Sequence, residues 1–117
     1  MKSNIFSLEN KISVVTGGAG HLGLAITEGL LEQGSEVYMV GKSKNNLDEA
    51  LKKLKGKGLE KVKIIRIDVQ SLDSIKRGFQ KIKNNSGRID VLVNNAYFGN
   101  DGSFEKKTER EWKLGID

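Results

Sequence analysis

The sequence has 117 residues, of which 37% are hydrophobic and 30% charged, as expected of one small folded domain spanning 1–117 rather than a disordered chain. With no cysteine and a single histidine it excludes disulfides, thiolate clusters and a self-contained metal site. No apolar run approaches the roughly 18 residues of a membrane span, and residues 1–6 lack the apolar stretch of a secretory signal, so a cytoplasmic protein with no membrane partner is expected.

Residues 11–16 form a short β-branched run that ends in a glycine cluster, the signature of a strand entering a tight turn. From Leu22 the period changes: Leu22, Ala25, Ile26, Gly29 and Leu30 predict one apolar stripe of a helix, and Gly34 stands where its C-cap belongs. Residues 36–40 predict a second strand. Asn46 with Glu49 has capping-box spacing, and Leu47, Leu51 and Leu54 supply the stripe behind it. Gly56 and Gly58 then break that helix.

Residues 62–67 predict a third strand. Ser71 suits the N-cap of a helix whose buried face is Leu72, Ile75, Phe79 and Ile82, ended by Asn84, Asn85, Ser86 and Gly87. Residues 89–93 predict a fourth strand, apolar except for Asp90. Thr108 and Glu111 form another capping pair, placing a further helix start near Glu109. Strands alternating with helices imply right-handed crossovers and a parallel sheet. The expected fold is therefore α/β, a Rossmann-type doubly wound sheet in partial form, with strand order 3-2-1-4. Its ligand crevice would lie at the carboxyl ends of strands one and four.

Net charge is +5 with a pI near 9.5, and much of the excess lies between Lys42 and Lys63. No aromatic residues interleave with these lysines, so base stacking has no platform. They are read as the solvated face of a helix, and no nucleic-acid partner is expected.

The segment from Thr16 to Gly23 joins the first strand to the first helix. Its glycines let the backbone turn sharply and approach a diphosphate without a Cβ in the way, while the helix N-terminus offers unpaired N–H groups and the positive end of its dipole. Gly17, Gly18, Gly20, His21, Leu22 and Gly23 are the candidate residues of a dinucleotide-binding loop.

With that loop, Asp68 and Val69 after strand three, the run Asn94, Asn95 and Ala96 closing strand four, and Phe104, Thr108 and Trp112 beyond it, the chain resembles the short-chain dehydrogenase/reductase family from about Asn10 to Trp112. The resemblance implies an oxidoreductase that transfers hydride between a nicotinamide dinucleotide and a carbonyl or hydroxyl group. It also implies that Asp68 and Val69 contact adenine, and that Asn94 and Ala96 contact the cofactor through their backbone. From local sequence alone, Asp68 is equally a strand-end residue that caps the next helix.

Two positions depart from the family pattern. His21 stands where the main branch has glycine, so the loop also fits the spacing of the extended branch of sugar-nucleotide-modifying enzymes. The Asn94, Asn95 and Ala96 run belongs to the main branch. Tyr97 replaces the last glycine of that signature, and would either narrow the nicotinamide pocket or pack beside it.

Cofactor choice rests on the end of strand two. An acid there would bind the ribose 2′-hydroxyl of NAD, but the position is Gly41, followed by Lys42 and Ser43. A lysine suits the 2′-phosphate of NADP, so NADP is expected, with NAD the alternative. The family's catalytic Tyr-x-x-x-Lys pair requires one helical turn. Tyr38 and Lys42 match its spacing but fall on a strand, about 13 Å apart, and four residues after Tyr97 stands Asp101. No catalytic residue is therefore assigned. The sequence is expected to be the N-terminal part of a longer enzyme, inactive alone, with strand four an open edge prone to homo-oligomer formation. A non-catalytic nucleotide-binding module is the rival expectation. By resemblance the substrate is expected to be a small molecule.

Overall fold

The computed structural model describes residues 7–95. Ala96, Tyr97 and the helix expected near Glu109 lie outside them. Four parallel strands, β1 (Ile12–Thr16), β2 (Glu36–Gly41), β3 (Val62–Arg66) and β4 (Val91–Asn94), stand in the order β3-β2-β1-β4, as the sequence predicts. Helices α1 (His21–Glu32), α2 (Lys44–Gly56) and α3 (Leu72–Ser86) connect them.

Alternation along the strands divides the core into two layers. Val15, Val37, Met39 and Val62 pack with Leu31 of α1 and Leu47, Ala50 and Leu54 of α2. Ile12, Val14, Tyr38, Val40, Ile65 and Ile67 pack with Ile82 of α3, flanked by Ile75 and Phe79. Both faces of β1 and β2 are covered, which explains why these strands read as continuous apolar runs.

The boundaries shift where side chains compete with the backbone. The expected fourth strand starts two residues late, because the Asp90 carboxylate takes the Ile12 N–H at 2.8 Å. Helix α2 starts at Lys44 and not behind Asn46: Ser43, in extended conformation, accepts the Asn46 N–H at 3.3 Å and is the cap. Ser71 caps α3 as expected, through the Ser74 N–H. That helix continues through Asn84, Asn85 and Ser86, and ends at Gly87 with φ of 81°.

Two apolar stripes rotate relative to expectation. In α1 the buried positions are Gly23, Thr27 and Leu31, with Leu24, Ile26 and Leu30 partly covered, while Leu22, Ala25 and Gly29 face outward. In α3, Leu72 is exposed and Gly78 is buried instead. In both helices a glycine, not a leucine, sets the face, since only glycine lets the helix come this close: a Cβ on Gly23 would lie 1.9 Å from the Gly17 carbonyl oxygen.

Candidate functional site

The carboxyl ends of β1, β2, β3 and β4 bring most of the candidate residues to one edge of the sheet. At the centre, Gly17 turns the chain at φ of 65° and accepts the Gly20 N–H at 3.1 Å. Gly18 donates its N–H to the Val40 carbonyl at 3.1 Å, tying the loop to β2. A Cβ on Gly18 would meet the Met39 Cβ at 2.9 Å, so the loop lies flat on the sheet and leaves its outer side open.

Gly20 is the N-cap of α1 and offers no side chain to its first N–H groups, and the first turn holds no acid. His21 and Leu22 follow it, both exposed. An uncapped helix start without competing carboxylates favours an anion through both its N–H groups and its dipole.

Beside the loop, the Thr16 hydroxyl donates to Asn94 Oδ1 at 3.1 Å and accepts the Asn95 N–H at 2.8 Å. The Asn95 side-chain amide reaches the Gly17 carbonyl oxygen at 3.4 Å. This network fixes the end of β4 against the loop. Sequence reading missed the role of Thr16. It emerges only from the sheet register, which places Thr16 opposite Asn94.

On the other side, β2 runs out at Gly41 and the chain turns through Lys42 and Ser43 into α2. The Lys42 ammonium lies 3.8 Å from Asp68 Oδ2. Arg66, at the end of β3, donates its Nε–H to the Lys42 carbonyl oxygen at 2.9 Å. Asp68 also accepts the Gln70 N–H at 3.0 Å, and its own N–H is taken by the Ser74 hydroxyl. Asp68 thus shapes the turn after β3 while Ser71 does the capping, which leaves its second oxygen facing Lys42. Val69, partly buried, packs against the core layer on the α3 side.

Tyr38 and Lys42 do not form a working pair. The Tyr38 ring is wholly buried on the α3 side, and its hydroxyl shares a 2.6 Å hydrogen bond with the Ser86 hydroxyl. Lys42 stands past the end of the strand, with an exposed side chain.

At the opposite end of the sheet, the Ile12 N–H holds the Asp90 carboxyl below its usual pKa, with the Arg88 guanidinium adding to the effect. No helix among the described residues is long and apolar enough to cross a membrane, and no group of His, Cys, Asp and Glu among them could hold a metal ion.

A glycine loop uncapped toward solvent, between the first strand and first helix of a 3-2-1-4 parallel sheet, defines a dinucleotide-binding class of fold. The family model described as short chain dehydrogenase matches residues 11–117, and the chain belongs to that family. It is 39% identical over 95 residues to dehydrogenase/reductase SDR family member 4 of Caenorhabditis elegans, covering 81% of this chain and 36% of that protein. It is 36% identical over 110 residues to the 3-oxoacyl-acyl-carrier-protein reductase FabG of Thermotoga maritima, covering 94% of this chain and 44% of that protein. Among solved structures it resembles L-sorbose reductase of Gluconobacter frateurii, complexed with NADPH and L-sorbose. The TM-score there is 0.77 at 28% identity, over 93% of this chain and 41% of that one. The chain spans under half the length of each of these relatives.

Proposed function

We propose that the chain is the cofactor-binding portion of an NADP(H)-dependent oxidoreductase acting on a carbonyl or hydroxyl substrate. The observation that carries this reading is the start of α1, which has no side-chain cap, behind a glycine loop packed too closely on the sheet to carry side chains at Gly18 and Gly23. The cradle fits a dinucleotide: a Cβ at Gly18 or Gly23 would collide with backbone or core atoms, while the open side presents N–H groups to a diphosphate. In this assignment Gly17, Gly18, Gly20, His21, Leu22 and Gly23 hold the diphosphate. Asp68 and Val69 hold adenine, Lys42 and Ser43 the 2′-phosphate, and Asn94 and Ala96 the nicotinamide end. When bound, the nicotinamide gives or accepts the hydride.

Support for NADP over NAD comes from the end of β2. Gly41 carries no carboxylate for a ribose 2′-hydroxyl, and a Cβ there would already press on Leu47 Cδ2 at 3.3 Å. The L-sorbose reductase relative is complexed with NADPH. Fluorescence titration with NADPH and NADH tests the proposal. NADPH is expected to bind at least tenfold tighter. Equal affinity would overturn the NADP assignment, and no binding of either would overturn the cofactor-binding reading itself.

A further inference from the structure

The parallel register sets Arg66 directly beside Gly41, the position from which this kind of sheet reads the 2′ group of the adenosine ribose. Both residues project to the α1 and α2 side of the sheet. Val62 and Ile64, four and two residues earlier on β3, pack in that layer, and the space beside Gly41 is filled by Leu47 of α2. Arg66 is not loose in this place. Its Nε–H is fixed on the Lys42 carbonyl oxygen at 2.9 Å, which holds the guanidinium against the turn between β2 and α2.

The two lysines of that turn are already engaged. Lys42 faces Asp68 at 3.8 Å and Lys44 faces Asp48 at 3.4 Å. Among the described residues, Arg66 forms no ion pair. The first turn of α2 contains no acid, and the Ser43 hydroxyl at its cap accepts the Asn46 N–H while keeping its own proton to donate. A dianionic phosphate here would meet a held guanidinium and the donating hydroxyl of the Ser43 cap, while the nearby Asp68 and Asp48 carboxylates already face Lys42 and Lys44.

We propose that Arg66, more than Lys42, is the residue by which this protein reads the 2′-phosphate, and that Lys42 serves chiefly as counter-charge to Asp68. The assignment rests on the NADP reading above and names the residue that enforces it. Sequence reading overlooked Arg66 because it is 24 positions from Lys42 and looks like the exposed face of an ordinary strand. Only the register of β2 on β3 brings it to Gly41.

The test is NADPH and NADH affinity for the unmutated protein, R66M, R66K and K42M, with thermal melts as a check on folding. Hydrogen bonds to a charged group lead to an expected loss of about tenfold in NADPH affinity for R66M, with NADH unchanged within about twofold. K42M should lose less than R66M, and R66K should fall between R66M and the unmutated protein. An R66M that keeps its NADPH affinity, or that loses NADPH and NADH equally, overturns the role of Arg66 and leaves the NADP reading standing. An unmutated protein without NADPH preference removes both. Should R66M not fold, R66K carries the test: a threefold or greater loss confined to NADPH is expected, and an unchanged value overturns the assignment.

Discussion

The two ends of the β1–β4 ladder close in opposite ways. At the amino end the chain's own groups bond one another across the two strands. The Ile12 N–H donates to Asp90, the Asp90 N–H donates back to the Ile12 carbonyl oxygen at 2.8 Å, and Arg88 bonds both the Asp90 carboxylate and the Asn10 carbonyl oxygen. At the carboxyl end, Thr16, Asn94 and Asn95 also bond one another, yet the first N–H groups of α1 have no side-chain cap. Buried polar groups that are matched hold a fold together. Donors held in place but left unmatched are what a ligand's charge can use. The same two strands are scaffold at one end and candidate site at the other.

The sharpest way to break that contrast is Gly23→Ala. Its Cβ would sit 1.9 Å from the Gly17 carbonyl oxygen and 2.9 Å from the Gly18 Cα, both backbone atoms that cannot swing aside. A loss of about 3 kcal/mol is expected, seen as a melting point lower by roughly 10 °C, together with loss of dinucleotide binding. An unchanged melt would show that α1 can move off the loop, and the close approach would not matter.

Thr16→Val is the next test. It keeps the shape and deletes the hydroxyl that accepts the Asn95 N–H and donates to Asn94. Leaving that N–H unpaired should cost about 1–2 kcal/mol and loosen the end of β4 against the loop. If chemical denaturation gives the same midpoint for both proteins, the network at the carboxyl end is not what holds β4.

The order of elements was legible because it depends on period and punctuation: β-branched runs, glycine clusters and capping serines. Ser71 and the strand order followed directly. The phases of α1 and α3 were not legible, because counting apolar residues gives Leu22 and Leu72 the weight that close packing gives to Gly23 and Gly78. The α2 cap was missed for a related reason. Ser43 also suits a cofactor donor, and the Asn46–Glu49 spacing offers a competing box. Within the candidate site, the glycine loop could be read from spacing alone, since its residues are consecutive. Thr16 and Arg66 could not, because their roles come from neighbours that only the sheet register supplies.

Gly29 sharpens the comparison within a single helix. It lies on α1 six residues beyond Gly23, and a Cβ there meets nothing within 4 Å. Gly29→Ala should therefore stabilise the protein by about 0.5–1 kcal/mol through reduced chain entropy, the opposite sign to Gly23→Ala. A destabilised Gly29→Ala would place an unseen neighbour on that face.

The smallest effect is confined to acid and isolates the amino end. Because the Ile12 N–H and Arg88 hold the folded-state pKa of Asp90 below its ordinary value, the folded chain binds a proton there less readily than the unfolded chain. The stability this contributes is complete above the unfolded pKa of about 3.9 and is lost as pH falls through the lower folded value. Asp90→Asn cannot titrate, so its stability curve should be flatter through that acid window, and the gap between the two proteins should narrow as pH drops below about 4. Denaturant midpoints measured across that window decide the matter: parallel curves would mean that the Asp90 link between β1 and β4 carries no charge-dependent stability, and the amino end would owe its closure to the backbone ladder alone.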